Sequence, residues 1–163
     1  MTRHMLADWL AGSHDHPEQV RAQWRERGIA LVPLGGVFDA VRLPEPVVLA
    51  ALLTDGDGCA HLDDALEETL RGPVVHDGHG RNYYAIVPPG VREWRHSAHG
   101  VECLGSGTHF GVPAVGVRDY DATHPVHWAT LGTSSRYCDP ASVALLVRIA
   151  SARLAEAAIV RAR

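Results

Sequence analysis

The sequence predicts an α+β fold in which a mainly antiparallel or mixed sheet packs against helices. Apolar residues recur at helical spacing in some segments, and other segments alternate or form the short apolar runs that are typical of strands. The strand candidates lie in groups with short turns between them, which favours hairpins. The chain shows no internal repeat, low-complexity linker or charge run. Residues 1–163 are therefore expected to form one domain, with residues 1–15 as a peripheral N-terminal helix.

Four later segments carry helix signals: residues 16–27, 44–53, 61–72 and 140–163. The first of them is followed by Gly28, which suits the left-handed residue that often ends a helix. The last has two strong start signals, because Asp139 is a good N-cap and Pro140 is a good first helical residue. It then carries an apolar stripe at helical spacing to the C-terminus, so it is the clearest helix of the chain.

Six segments are expected to be strands: residues 29–34, 37–43, 73–77, 82–90, 108–115 and 126–131. Only a Gly-Gly turn separates the first two segments, and we expect them to pair with each other. The stretches "PVVHD" and "NYYAIVPPG" are separated by "GHGR", which is typical of a hairpin turn. Residues 73–88 are therefore expected to form a β-hairpin.

The composition is that of an ordinary globular protein without a strongly basic surface. The formal net charge is −4, whereas binding to nucleic acid through a basic face needs clustered cations, so the charge disfavours a nucleic-acid partner. No apolar run approaches the roughly 20 residues of a membrane span, and the N-terminus is too polar for a secretory signal, so we expect no membrane association. The three cysteines are widely spaced and form no CxxC pair, which favours a reducing cytoplasm.

Histidine is abundant, with 11 in 163 residues, but its spacing does not predict a metal site. Zinc sites need three or four converging ligands, and His76-x-x-His79 has no complementary pair at a recognised distance. Asp55 and Asp57 form a D-x-D pair in a glycine-rich break rather than on a strand, so we interpret them as part of a turn. The chain has neither a Walker GxxxxGK[ST] motif nor a GxSxG nucleophile motif, and no cofactor is expected.

Five stretches together resemble a known group of proteins. In chain order they are "RGIALVPLGG", "FDAVRLP", "GPVVHDGHGRNYYAIVPPG", "CLGSGTHFGVPAVG" and "CDPASVALLV". They resemble small proteins of high-GC bacteria that are related to the N-terminal domain of bifunctional DNA primase/polymerases, the prim-pol branch of the archaeo-eukaryotic primases. The resemblance covers roughly residues 20–150 and implies a reduced prim-pol-like scaffold.

Two departures from the active family bear on function. The stretch "GRNYYAIVPPG" is similar to a family motif whose histidine contacts nucleotide phosphates, but Asn82 stands at the position of that histidine. No strand between "VPLGG" and "GRNYY" carries the family's carboxylate pair, so the two-metal clamp of nucleotidyl transfer is missing. The resemblance therefore implies no primase or polymerase activity. It predicts a non-catalytic protein that binds a partner protein, a nucleotide or nucleic acid.

Seven residues are candidate ligand-binding groups: His76, His79, Arg81, Asn82, Tyr84, Thr108 and His109. Strand alternation puts Asn82 and Tyr84 on one face of the hairpin, and the matched motif turns this face towards a cleft. Thr108 or His109 is expected to lie beside them. The alternative is that this cleft has closed and that its groups hydrogen-bond to one another.

A second function stays open, namely an enzyme that acts on a phosphoester or nucleotide substrate. Histidine supplies general acid–base chemistry near neutral pH, and arginine suits a phosphate group. The residues that would form this His/Arg/Asp site lie at strand ends: His76, Asp77, His79, Arg81 and His109.

Asp39 and Arg42 are expected to be structural polar residues. In the stretch "FDAVRLP", Asp39 shares a strand face with the apolar Val37 and Val41. Burying a carboxylate without a partner is costly, so we expect an arginine or main-chain N–H groups to hold it. A contact between Asp39 and a ligand is the alternative.

Overall fold

A computed structural model describes residues 1–52, 61–91, 99–132 and 135–163. The helices in these ranges are α1 (Arg3–Ala11), α2 (Pro17–Arg27), α3 (Glu45–Leu52), α4 (Leu62–Leu70) and α5 (Pro140–Arg161). The strands are β1 (Ile29–Pro33), β2 (Asp39–Pro44), β3 (Pro73–Asp77), β4 (Asn82–Val87), β5 (Glu102–Leu104), β6 (His109–Pro113) and β7 (Val126–Leu131). The predicted α+β fold class is confirmed. The D-x-D pair of Asp55 and Asp57 lies outside the described residues.

Two antiparallel sheets form the β part of the fold. The large sheet has the strand order β5-β2-β4-β3-β7, and the small sheet pairs β1 with β6. The expected hairpin is confirmed, because β3 and β4 are antiparallel neighbours joined by a short turn. The expected pairing of residues 29–34 with residues 37–43 is wrong, since β1 pairs with β6 and β2 pairs with β4 and β5.

The turn at Gly35 moves the chain from the small sheet to the large one instead of closing a hairpin. Gly35 has a φ of +98°, which favours glycine, and its N–H donates to the Phe38 carbonyl at 3.0 Å. Strand β1 then buries Ala30 and Val32 in the core cluster that covers one face of the large sheet. Burial of this apolar surface, rather than the short connection, decides which strands pair.

Apolar side chains cover both faces of the large sheet. On one face the helices α3, α4 and α5 contribute to a cluster that includes Leu66 and Leu146. On the other face the small sheet and the N-terminal helices contribute to a cluster that includes Leu10, Val32 and Trp128. Helix α1 contributes to this second cluster through Leu6 and Leu10, which are 1% and 0% exposed.

Two details of the secondary structure differ from the sequence-based expectation. Strand β5 was not predicted, and it adds three residues to the edge of the large sheet beside β2. Asp139 occupies the N-cap position of α5, but its carboxylate accepts from the Ser142 hydroxyl at 2.8 Å and makes no side-chain cap bond.

None of the helices in the described ranges combines the length and apolar character that crossing a bilayer requires.

Candidate functional site

The hairpin of β3 and β4 divides the predicted ligand-binding residues between two faces of the large sheet. His76 lies opposite Tyr83, and Val75 lies opposite Tyr84. Because side chains alternate along a strand, His76 and Tyr83 share one face and Tyr84 lies on the other. The predicted residues therefore do not form a single site.

The turn that joins these two strands is held by its own polar groups. The Asp77 carboxylate accepts from the main-chain N–H groups of His79 at 3.1 Å and Gly80 at 2.9 Å. The side-chain amide of Asn82 donates to the Gly80 carbonyl at 3.1 Å. His79 is exposed, and Arg81 has a left-handed backbone with φ of 57°. Asn82 thus stabilises the turn, whereas the motif had placed it in a cleft.

The face that carries Tyr84 has a shallow cavity of about 220 Å³, lined in part by Tyr84 and His109. The ring centroids of Tyr84 and Phe110 are 5.0 Å apart, and burial raises the pKa of the Tyr84 hydroxyl. His109 is exposed. Thr108 lies in the preceding turn, where its N–H donates to the Gly105 carbonyl at 3.1 Å. The structure therefore brings Tyr84 and His109 together, without Asn82 or Thr108.

The opposite face of the hairpin carries a cluster of titratable and aromatic side chains around a cavity of about 270 Å³. We call this cavity the histidine pocket. Its lining residues are Glu45, Leu49, Leu62, Asp63, His76, Tyr83, Tyr120 and His127. Strands β3, β4 and β7 supply the rings of His76, Tyr83 and His127, and helices α3 and α4 supply the two carboxylates.

Ring contacts fix the two histidines of the pocket. The His76 ring lies parallel to the Tyr83 ring, with centroids 4.1 Å apart and an angle of 2° between the planes. The register of β3 and β7 sets His127 opposite His76, and the two imidazoles meet edge to face at 5.0 Å. Tyr120 meets His127 in the same manner at 6.4 Å. The pocket wall therefore presents ring faces and ring edges in a defined arrangement.

Glu45 links the histidine pocket to the hairpin turn. One oxygen of its carboxylate is 3.7 Å from His76 Nε2, and the other is 3.7 Å from a guanidinium nitrogen of Arg81. Both distances are too long for hydrogen bonds. The contact with Arg81 is a loose ion pair, whereas the contact with His76 is one only when the imidazole is protonated. The Arg81 side chain is 67% exposed, whereas those of Glu45 and His76 are 24% and 18% exposed. Arg81 thus places an exposed cation beside a carboxylate that lines the pocket.

Two imidazole nitrogens in the pocket, His76 Nε2 and His127 Nδ1, are buried and have no hydrogen-bond partner in the described part of the chain. His127 is 6% exposed. Most buried polar atoms in native proteins do have a partner, so two unpaired nitrogens in one cavity wall are unusual. Both are suited to donate to or accept from a molecule that enters the pocket. Within the described ranges no three His, Cys, Asp or Glu side chains are arranged to hold a metal ion.

Burial shifts the pKa values of two groups in the pocket so that their neutral forms are favoured. It lowers the pKa of His76, and the neighbouring His127 lowers it further, against the opposing effect of Glu45 and Asp63. Burial raises the pKa of Asp63, against the opposing effect of His76, His127 and Arg118. Desolvation therefore outweighs the attraction between these oppositely charged groups. An acid and a base with perturbed pKa values in one cavity are typical of functional sites.

Of the residues that line this pocket, only His76 was among the predicted ligand-binding groups. The polar and aromatic residues that were missed are Glu45, Asp63, Tyr83, Tyr120 and His127. His127 lies in a segment that was expected to be a strand, so alternation could have placed it on the face opposite Trp128. The pairing of β3 with β7 brings it to His76, and nothing in the local sequence indicates that pairing. Glu45 and Asp63 lie in the first turns of their helices, where acidic residues are common for electrostatic reasons alone.

Asp39 and Arg42 lie on different faces of β2. Asp39 is 4% exposed, and its Oδ2 accepts from the main-chain N–H of Gly90 at 2.8 Å, so a backbone donor holds this carboxylate. Arg42 pairs with Glu102 across β2 and β5 at 2.6 Å. The side chains of Arg42 and Glu102 are 36% and 55% exposed, and surface pairs of this kind contribute little stability.

The chain was compared with protein families, with curated proteins and with solved structures, and none of the three comparisons gives a match. The resemblance to the prim-pol group therefore stays a prediction. The chemistry of the site has to be argued from its geometry.

Acidification is expected to destabilise the protein through His76. Its folded-state pKa lies below the ordinary 6.5, so in the window between the two values the unfolded chain binds more protons than the folded one. This contribution to stability is complete above pH 6.5 and is lost as the pH falls through the window. His76→Phe keeps a ring against Tyr83 but does not titrate. The loss of unfolding free energy between about pH 7 and pH 5 should therefore be smaller in this variant.

Urea unfolding at each pH measures the effect, and His109→Phe is the matched control because it replaces an exposed histidine of strand β6 in the small sheet. Asp63 acts with the opposite sign, since its raised pKa favours the folded state towards acid pH. The contribution of His76 is therefore the difference between wild type and variant. Identical pH profiles for wild type and His76→Phe contradict the prediction.

Proposed function

We propose that the protein is a non-catalytic binding protein whose histidine pocket holds a small planar ligand with hydrogen-bonding edges, such as the base of a nucleotide. The observation that carries this proposal is the pair of buried, unpartnered imidazole nitrogens, His76 Nε2 and His127 Nδ1, in the wall of the cavity. Leaving such groups without a partner is costly. A ligand that hydrogen-bonds to them removes this cost.

The size of the pocket supports a ring rather than a whole nucleotide as the buried part. Its volume of about 270 Å³ is just below the range of roughly 300–1,000 Å³ that is usual for small-molecule sites. Aromatic rings and the side chains of Leu49 and Leu62 supply apolar walls for a flat molecule. Glu45 and Asp63 supply acceptors for N–H groups on its edge. The exposed Arg81 beside Glu45 suits a phosphate at the mouth of the pocket.

The overall charge supports a small ligand over a nucleic-acid strand. The net charge of −4 and the carboxylates of the pocket oppose the approach of many phosphates at once. A single mononucleotide needs only one favourable phosphate contact. The resemblance to the prim-pol group agrees with this proposal, since a scaffold without catalytic groups can still bind a nucleotide. The proposed ligand lies on the sheet face opposite the predicted Tyr84 cleft.

The experiment is a thermal-shift and calorimetry screen with the four common ribonucleosides, their monophosphates, and Mg²⁺, Mn²⁺ and Zn²⁺ as separate probes. A molecule that binds only the folded state raises the melting temperature in proportion to the logarithm of its concentration over Kd. We expect a base-containing probe to bind, and His127→Phe to weaken its affinity at least about tenfold through the lost hydrogen bond. His109→Phe should bind like the wild type.

The outcomes separate the two faces of the hairpin. Loss of binding in His109→Phe, with His127→Phe unaffected, moves the ligand to the Tyr84 face and contradicts the proposal. Failure of every nucleoside and nucleotide to bind the wild type also contradicts it. A comparison of the melting temperatures of the unliganded variants shows whether either substitution simply unfolds the chain.

One observation favours a second candidate function, an enzyme acting on a phosphoester or nucleotide. The pKa of His76 is lowered and that of Asp63 is raised, which narrows the gap between the pKa values of a base and an acid in the same pocket. Hydrolysis of a phosphomonoester or phosphodiester by the wild type, abolished in Asp63→Asn with binding retained, would replace the binding function by this one.

A further inference from the structure

A second cavity, of about 350 Å³, lies at the other end of the large sheet where β2 begins and β4 and β5 end. We call it the glycine pocket. It is lined by Gly35, Asp39, Gly90, Val91, Cys103, Gly105 and Ser106. None of these residues lines the histidine pocket, so an inference from this cavity is independent of the function proposed above.

Three glycine-containing turns meet around Asp39. Gly35 and Gly90 have φ values of +98° and +80°, so their turns need glycine. A Cβ on Gly35 would lie 2.7 Å from the main chain of Ser106, which means that these two loops touch through backbone. A Cβ on Gly105 would lie 3.3 Å from Asp39 Oδ2 and 3.4 Å from Oδ1. The absence of a side chain at Gly105 therefore leaves space beside the Asp39 carboxylate.

Asp39 is buried, and only one of its two carboxylate oxygens accepts a hydrogen bond from a described residue. Its Oδ2 accepts from the Gly90 N–H, whereas Oδ1, although buried, has no hydrogen-bond partner among the residues that the structure describes. Within the described ranges no ion pair involves Asp39, and Arg42, the nearest arginine along the strand, pairs with Glu102 instead. A buried carboxylate without a countercharge is costly, so one oxygen and one negative charge are available to a ligand.

The other described residues of the wall carry no positive charge. Burial, together with the charge of Asp39, raises the pKa of the Cys103 thiol to about 11, so it is neutral at physiological pH. The exposed hydroxyl of Ser106 offers a second acceptor. Val91 and the Cys103 side chain supply apolar surface beside the carboxylate. One bridging water occupies only about 30 Å³ in the liquid, so it would leave most of this cavity unfilled.

We propose that the glycine pocket binds the primary ammonium group of a small alkylamine, with Asp39 as its counter-ion. Only Oδ1 is free, and a compact ammonium needs a single carboxylate oxygen for a charge-assisted hydrogen bond. A guanidinium group gains most from a bidentate contact, which the bond from Gly90 to Oδ2 obstructs. The ammonium donates to Asp39 Oδ1 and Ser106 Oγ, and a short alkyl tail lies against Val91 and Cys103.

Titration calorimetry with n-butylamine tests the proposal, with n-butanol and butylguanidine as matched neutral and guanidinium probes. The wild type is expected to bind n-butylamine saturably in the millimolar range, butylguanidine more weakly and n-butanol not at all. Asp39→Asn removes the charge with little change of shape and should weaken the binding at least about tenfold. His127→Phe should leave it unchanged.

Gly105→Ala keeps the proposal testable if Asp39→Asn does not fold. The added methyl group would lie 3.3 Å from Asp39 Oδ2, a slightly tight contact that a small shift of the side chain relieves, and Gly105 does not need a positive φ. Binding should therefore weaken with only a modest change in melting temperature. Gly36→Ala is the matched control, because a Cβ there meets no atom within 4 Å. Equal affinity of wild type, Asp39→Asn and Gly105→Ala overturns the proposal, as does equal binding of n-butanol or no saturable binding of n-butylamine to the wild type.

Discussion

Trp128→Ala is expected to lower the free energy of unfolding by about 3–5 kcal/mol, the usual cost of truncating a buried tryptophan. Trp128 lies on β7 with 0% of its surface exposed, in the cluster that joins the large sheet to the small one. Its indole N–H donates to the carbonyl of Pro113, the last residue of β6, at 3.0 Å. The side chain thus supplies both apolar area and a polar link between the two sheets.

Trp128→Phe separates these two contributions. It retains an aromatic ring in the cluster but removes the donor to Pro113. Because the ring still buries apolar surface and leaves a smaller cavity, Trp128→Phe should lower the free energy of unfolding by less than Trp128→Ala does. Urea unfolding followed by circular dichroism measures both variants. A loss below about 1.5 kcal/mol for Trp128→Ala would mean that the two sheets are held together elsewhere.

Local sequence signals were sufficient for most elements of this fold. Pro140 and the apolar stripe that follows it identified α5, and two short strand candidates separated by the turn "GHGR" identified the hairpin of β3 and β4. The three residues Glu102–Leu104 of β5 are too few to show a period, so this strand was missed. A strand this short exists because β2 offers it an edge, which is a property of the folded sheet.

Strand pairing and the pocket it creates could not be predicted in the same way. The Gly-Gly turn suggested that β1 and β2 pair. In the structure β1 pairs with β6 instead, and Val32 of β1 is buried against the large sheet. Alternation placed Asn82 and Tyr84 on one face of the hairpin, but it did not separate Tyr84 from His76, which lies on the opposite face. The groups that surround His76 are Glu45, Asp63 and His127, and only the tertiary structure brings them together.

Asn82 shows why a motif position alone does not define a site. The resemblance placed it where the active family has a phosphate-binding histidine, and alternation then turned it towards a cleft. In the structure its amide donates to the Gly80 carbonyl of the adjacent turn. Short polar side chains often satisfy nearby backbone groups in turns, and this local bond competes with any bond to a ligand.

Gly72→Ala is expected to destabilise the protein by about 3 kcal/mol, at the upper end of the usual cost of overpacking. Gly72 lies between α4 and β3, and a Cβ there would overlap the main-chain nitrogen of Cys138 and lie 2.5 Å from the carbonyl oxygen of Tyr137. These neighbours are backbone atoms, so no side-chain rotation relieves the overlap. The two chain segments must move apart.

That movement acts on the start of α5, because the segment before this helix is bonded to the same region. Cys138 N donates to the Ile86 carbonyl at 2.7 Å, and Asp139 N donates to the Leu70 carbonyl at 3.1 Å. The Thr130 hydroxyl donates to the Gly72 carbonyl itself at 2.6 Å. Separating the segments strains all three bonds, and buried main-chain groups that lose their partners add to the cost.

Gly116→Ala is the matched control, since a Cβ at this position meets no atom within 4 Å and the residue does not need a positive φ. It should change the free energy of unfolding by no more than about 0.5 kcal/mol, as surface substitutions usually do. Urea unfolding of both variants gives the comparison. If Gly72→Ala were as stable as Gly116→Ala, the close backbone approach at Gly72 could not be what docks α5 on the large sheet. The apolar contacts of α5, through residues such as Leu146, would then have to hold the helix alone.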